Sequence, residues 1–395
     1  MTSPNSRAAR AIAAIQPVWT GQITLREVLA DQDAPTRTLL HAGPPFADAA
    51  SVPTPVRNSM MQAIVFEGWS PDLQGAAALL DSGAVSLAPA QDHECLVPLA
   101  GVISPAMSMH VVQDKESGMT QYAVINEGMV HCLRVGMLED GLVKHQHWLH
   151  GPYADWLAHR LAKNGPVDLF SLLSLSLATG DDGHNRTMAG SSLCAAALLK
   201  GDDSALRTEM EPFISSALAF ALNLWMAAAA LALRAAQGMV GSDTITKVGG
   251  NGVDFGFQIA ANPGTWHTTA GTAPRGAVPQ NFRGLPVLGA IGDSAVVDFF
   301  GLGGQALRHA PATLQALGDF APTDALERPD QLLETRHLRL PIRTGVSATR
   351  IAQAGVVPIV LLGMIEATGL EGRIAGGAYE PAMDAFRAAL RSPAG

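Results

Sequence analysis

The sequence is poor in cysteine and in charge, and each shortage excludes something. Its three cysteines, Cys95, Cys132 and Cys194, share no CxxC spacing, which excludes a disulfide framework and fits a reducing compartment. Only 15% of its 395 residues are charged, the net charge is −9, and there is no long Lys/Arg run. Nucleic acid is thereby excluded as the main partner. No signal peptide is visible: the Ala/Ile stretch in MTSPNSRAARAIAAIQPVW is interrupted and no cleavage pattern follows it. One charge-free stretch, Phe213 to Leu231, has about the length of a membrane span. It is Ala-rich and carries Ser215, Ser216 and Asn223, so it reads as a central helix buried on all sides. No membrane association and a cytoplasmic location are expected. There is no internal repeat, no nucleophile elbow and no kinase motif set.

What is present describes a folded protein with many tight turns. Hydrophobic residues make up 48%, with 40 glycines and 25 prolines spread along the chain. The length suggests two or three domains, with expected limits 1–152, 153–243 and 244–395. The expected class is α+β and multi-lobed, two mixed α/β lobes with a central mostly helical domain. In the first lobe MQAIVFEGW and HECLVPLAGVISPAMSMHVVQD read as strands bounded by turns. QYAVINEGMVHCLRVG reads as a strand pair about Asn126-Glu127-Gly128. YADWLAHRLAKNG is a helix stopped by Asn164-Gly165, and AYEPAMDAFRAALRS a terminal helix.

The densest polar cluster lies between two apolar runs, LFSLLSLSLA and SLCAAALL. It is Asp181-Asp182-Gly183-His184-Asn185-Arg186. As a plain helix start, one aspartate would cap free N–H groups and Arg186 would pair with an acid. That leaves His184, Asn185 and the second aspartate without a task where unpaired polar groups are costly. A binding or catalytic site gives each one a role. Arg186 offers a fork for carboxylate or phosphate, His184 can move a proton near neutral pH, and an aspartate can orient the imidazole or hold Mg²⁺.

Three further patterns carry chemistry. KVGGNGVDFGFQI places Gly249, Gly250 and Gly252 around Asn251, as an anion-holding nest or as a strand with a bulged hairpin. No Gly-Lys-Ser/Thr follows, so it is not a P-loop. Gly301-Leu302-Gly303-Gly304-Gln305-Ala306, with Asp319 further on, matches the spacing of a dinucleotide-binding turn, and Asp293-Ser294 nearby supplies an acid and a hydroxyl. His145, His147 and His150 lack a supporting cysteine or acid cluster, so they read as an exposed helix start rather than a zinc site.

Seven of these segments, in order, resemble the YlbE/AllG family: LLHAGPP, FEGW, GVISPAM, NEG, GDDGHNR, GGNGVDFGFQI and GDSAVVDFFGLGG. That family supplies the large subunit of bacterial oxamate carbamoyltransferase, linked to anaerobic allantoin breakdown. The resemblance implies transfer of a carbamoyl group between oxalurate and phosphate, which yields oxamate and carbamoyl phosphate. It also implies two partner subunits, one FdrA-like and related to ADP-forming acyl-CoA synthetases and one smaller. A self-contained homodimer is the alternative assembly. In this setting His184, Asp181 and Arg186 are the expected catalytic residues. Asp182, Asn185, Gly249, Gly250, Asn251, Gly252, Asp293 and Ser294 are the expected contacts to the small anion and phosphate. The alternative is a non-catalytic binding or scaffold subunit of an acyl-CoA-synthetase-like complex. The chain departs from the family at Leu361-Leu362-Gly363-Met364-Ile365-Glu366, where relatives carry Asn-Thr-Gly and a His-Lys pair. It departs again at Trp266-His267-Thr268-Thr269. Apolar and acidic groups in place of polar and basic ones are expected to change anion recognition.

Overall fold

The central element is the helix Phe220–Arg234, in which every residue from Asn223 to Leu233 is buried. Each fully buried Leu, Met or Trp side chain on it contributes about 1.5–3 kcal/mol or more. The structure, a computed structural model describing residues 3–391, packs this helix against two sheets. On one side are Ser108–Asp114 and Thr120–Val124, part of a five-stranded sheet. That sheet has the order Cys95–Leu96, Thr120–Val124, Ser108–Asp114, Pro17–Thr24, Val167–Asp168. On the other side is Ile245–Asn251, in an antiparallel sheet ordered His267–Ala270, Asp254–Ile259, Ile245–Asn251, Ile291–Gly292. A three-stranded sheet (Ser86–Pro89, Thr38–His41, Val102–Ile103) and two hairpin pairs complete an α+β fold. One apolar core runs from Ala8 to Ala389 through this helix, and a second gathers the N-terminal helices around Leu39, Met60 and Ile103.

Several expectations hold and three need correction. The helix Ala154–Asn164 ends at Gly165 with φ 81°, and Met383–Ala389 forms the last helix; Ser392 lies outside the described residues. MQAIVFEGW is not a strand. Its first part belongs to the helix Thr54–Phe66, because Val56, Met60, Ala63 and Ile64 recur at helical spacing and Pro55 opens the first turn. QYAVINEGMVHCLRVG gives one strand, Thr120–Val124, rather than a pair. The carbonyls of Asn126 and Gly128 accept hydrogen bonds from the Arg134 guanidinium, so they are unavailable for a ladder.

The Phe213–Leu231 stretch is two helices, Arg207–Ser216 and Phe220–Arg234, bent by 71°. Ser191 stabilises the break: its hydroxyl donates to the Leu218 carbonyl at 2.9 Å and accepts from the Ala221 amide at 3.1 Å. The second helix is buried from Asn223 to Leu233, whereas in the first Ser215 and Ser216 face solvent. Among the described residues no single helix is long and apolar enough to cross a membrane.

Glycine serves here to let backbones cross. A Cβ on Gly250 would strike the carbonyl of Ala290, and one on Gly43 would lie 2.4 Å from the Gly250 carbonyl carbon. Replacement of Gly250 by alanine is therefore expected to destabilise the protein by about 3 kcal/mol, the upper part of the range for overpacking. Urea unfolding measures it, and unchanged stability would show that the strands can separate freely.

Candidate active site

The cluster Asp181–Arg186 is the turn between helices Leu169–Ala178 and Met188–Leu199. Its two aspartates hold the turn together. Asp182 is wholly buried; its Oδ1 accepts from the amides of His184 (2.7 Å), Asn185 (2.8 Å) and Arg186 (3.2 Å), and its Oδ2 from the Thr313 hydroxyl. Burial raises its pKa against the pull of those donors. Asp181 Oδ2 accepts from Ser176 Oγ and from the amide of Gly190 in the first turn of the next helix. Its Oδ1 faces Arg186 Nε at 3.7 Å. So both aspartates fill structural roles, and their oxygens already serve protein donors rather than a Mg²⁺ ion. Among the described residues no three His, Cys, Asp or Glu side chains are grouped to hold a metal.

His184 differs from them. Its Nδ1 lies 2.6 Å from Oδ2 of Asp298, a residue not singled out in the sequence. Asp298 is fully buried, and its Oδ1 accepts from the amides of Gly304 and Leu361. Burial raises its pKa, opposed by His184 and these amides. A carboxylate on Nδ1 fixes the ring orientation and leaves Nε2 for whatever enters the cavity that His184 lines.

That cavity holds about 920 Å³. Three guanidinium groups stand in its walls: Arg134, Arg186 and Arg373. Arg134 is fixed by the carbonyl of Asn126 (2.6 Å), its side-chain oxygen (2.7 Å) and the carbonyl of Gly128 (2.8 Å). Arg373 donates to Asn185 Oδ1 at 3.4 Å. It is reachable by water yet enclosed by the walls, and that enclosure, together with the like charge of Arg134, lowers its pKa. Converging guanidiniums in a partly desolvated cavity are a site for a small anion. Ser294, Asn126 and Asn223 add neutral polar groups, while Met129, Val130, Met188 and Leu218 form an exposed apolar rim. Sequence reasoning found His184, Asn185, Arg186 and Ser294 but missed Arg134, Arg373 and Asp298. The NEG turn beside Arg134 was a signal without a stated role; nothing local to Arg373 distinguishes it.

The remaining expected contacts lie elsewhere. Gly249, Gly250, Asn251 and Gly252 are not in the cavity wall. Gly249 and Gly250 pair in register with Gly256 and Phe255, the Gly252 amide donates to Ala290, and Asn251 binds Pro44, Val253 and Asp254. The run forms the strand and hairpin, and the Gly252 amide is engaged by a carbonyl. Asp293 accepts from the Gly43 and Val97 amides and from Gln91 Nε2, outside the cavity. The dinucleotide turn is also not formed. The run before Gly301 is the helix Ala295–Phe300, and Gly303–Gln305 is a 3-10 turn whose glycines lie against Asp298. His150 is hydrogen-bonded to the Ser108 amide and Gln146, and His145 stacks on Trp148.

The departures from the family sort in the same way. Leu361, Leu362 and Gly363 line the cavity, so one wall is apolar. Glu366 does not: it accepts from Thr368, Leu370 and Glu371. Burial acts to raise its pKa, but these bonds outweigh it and the net shift is downward. The acid there shapes a loop and brings no negative charge to the cavity. Trp266 donates to Asp92, away from the cavity.

The sequence profile described as oxamate carbamoyltransferase subunit AllG matches residues 85–294. Across 99% of this chain and 85% of the relative, the sequence is 29% identical to the uncharacterized protein YahG of Escherichia coli K12. It is 26% identical to the oxamate carbamoyltransferase subunit AllG of the same organism, over 90% of this chain and 89% of that one. A crystal structure of a conserved protein of unknown function from Enterococcus faecalis V583 superposes with a TM-score of 0.91 at 26% identity. It covers 98% of this chain and 96% of its own.

Two predictions follow from the geometry. Asp182→Ala strands three amides and a hydroxyl and is expected to lower stability by about 3 kcal/mol, whereas the half-exposed Arg186→Ala stays within about 1 kcal/mol. Chemical denaturation separates them; the reverse order would overturn these roles. The second concerns Asp293, whose pKa burial pushes up to about 7. The folded protein keeps a proton that the unfolded chain releases near pH 4, roughly the free aspartate value. This carboxyl therefore contributes stability below that pH that is lost as pH rises through about 7. The stability of Asp293→Asn relative to wild type should accordingly improve from pH 5 to 8, and a flat difference would refute the shift.

Proposed function

The chain belongs to the family of the oxamate carbamoyltransferase subunit AllG, and from that premise we propose that it takes part in carbamoyl transfer between a small ureido anion and phosphate, with the arginine-walled cavity as the reaction site. The observation that carries this reading is the convergence of Arg134, Arg186 and Arg373 on one cavity that also presents the His184–Asp298 pair. Both substrates are anions, and both need guanidinium forks in a place of low dielectric.

For oxalurate, a phosphate oxygen of HPO₄²⁻ attacks the terminal carbamoyl carbon. The C–N bond to the oxalyl-bearing nitrogen breaks, and that nitrogen takes up the proton that phosphate brought. The products are carbamoyl phosphate and oxamate, with three negative charges before and after. His184 Nε2 is the group in this chain able to receive the phosphate proton and return it to the leaving nitrogen, and Asp298 steadies the imidazolium between the two transfers. The arginines hold phosphate and the carboxylate together and balance charge on the carbonyl oxygen. The relative AllG is named as a subunit, so we take the working form to include partner chains.

His184→Ala is expected to lower turnover by about 10²–10⁴-fold and to leave phosphate affinity within a few-fold, measured on the chain co-purified with the products of its neighbouring genes. Undiminished turnover in that variant would place the chemistry in a partner and make this chain a binding subunit.

A further inference from the structure

Three glutamates line the cavity: Glu139 is paired with His131 and Glu371 is exposed, so the buried acid among the arginines is Glu127. Glu127 lines the cavity and is 4% exposed. Its Oε1 is bonded to His110 Nε2 at 2.6 Å and accepts from Asn223 Nδ2 at 3.3 Å. Its Oε2 is buried and has no donor. The neighbouring groups are engaged elsewhere: Asn126 Nδ2 donates to Asn223 Oδ1, and the Arg134 guanidinium is held by Asn126 and Gly128. A buried carboxylate oxygen without a donor is costly; even the buried Tyr153 hydroxyl, whose pKa is raised by burial and by the nearby Glu127 charge, makes no bond to it.

The chemistry of the cavity then constrains what fills it. Guanidinium groups only donate. A ligand made solely of anionic oxygens would suit the three arginines but bring further negative charge toward Glu127 and no donor for Oε2. A ligand with anionic oxygens at one end and an N–H at the other satisfies both walls. Taking the cavity to be the substrate site, as argued above, we propose that Glu127 Oε2 receives an N–H of the substrate's amide or ureido group. It thereby selects amide-bearing anions over plain dicarboxylates. The bonds from His110 and Asn223 to Oε1 position the other oxygen for this role. Rejection of an analogue that lacks the donor is the stronger half of such selectivity, because it leaves the site's acceptor unpaired.

Oxamate and oxalate test this, since they differ by one NH₂ in place of one O⁻. The arginines alone would favour oxalate, the dianion, so the two walls predict opposite preferences. In calorimetric titration of the whole chain, oxamate is expected to bind more tightly than oxalate by about tenfold or more, the worth of one hydrogen bond to a charged group. In Glu127→Gln the preference should vanish or reverse, because the new amide can donate to oxalate. Inorganic phosphate, which has no N–H to offer, should bind Glu127→Gln at least as tightly as the wild type. Glu127→Asp keeps the charge but draws it back by one methylene, and should lose part of the preference. It is the variant to use if the glutamine melts early. An unchanged ratio in a folded variant, or equal affinities in the wild type, would overturn the assignment while phosphate binding kept the cavity reading alive. A wild-type chain that bound neither phosphate nor either anion would sink the cavity reading itself.

Discussion

A single buried carboxylate, Asp298, receives bonds from three parts of the chain. One oxygen meets His184, 114 residues earlier; the other takes the amides of Gly304 and Leu361, the latter 63 residues later. Removing a carboxylate from water is tolerable only when its lone pairs are met, so those segments cannot drift without exposing the charge. The imidazole, the apolar wall at Leu361–Gly363 and, through the adjacent strand, Arg373 are all fixed relative to this point. The glycines beside it follow from the same demand: a Cβ on Gly303 would collide with the carboxylate, and Gly303 has φ 53°. A glycine pattern that resembles a phosphate-binding turn is here the socket for an acid.

The charges divide by role. Buried acids organise the backbone, as Asp182 does for its turn, Asp293 for the Gly43 and Val97 segments and Glu366 for its loop. The arginines stand in the cavity wall. The acid-rich motif lies at the cavity, with its members divided between shaping the turn and lining that cavity. Its aspartates keep the turn in shape, and the groups presented to the cavity are His184, Asn185 and Arg186.

What was legible in the sequence was local. The polar turn between apolar helices, the buried central helix and the stop at Gly165 depend on neighbours within a few residues, so periodicity and composition reveal them. The bend before Phe220 was hidden because Ser191, far back in the chain, makes it. Arg134 and Arg373 were hidden because nothing in their flanking residues states that they meet, and the partner of His184 had to be found in space. The Gly249–Gly252 run misled for a related reason. Close backbone crossing and anion cradling both require a missing side chain, and only the presence of Ala290 against Gly250 tells them apart.

The cavity is walled by residues 98–99, 126–139, 184–188, 218–223, 294, 312–316 and 361–373. During synthesis these walls emerge in that order, and the first guanidinium waits for more than half the chain to follow before the last one arrives. Until Arg373 has left the ribosome only two of the three guanidiniums, those of Arg134 and Arg186, have been made. The full set of three guanidiniums is therefore completed late in the synthesis of each molecule.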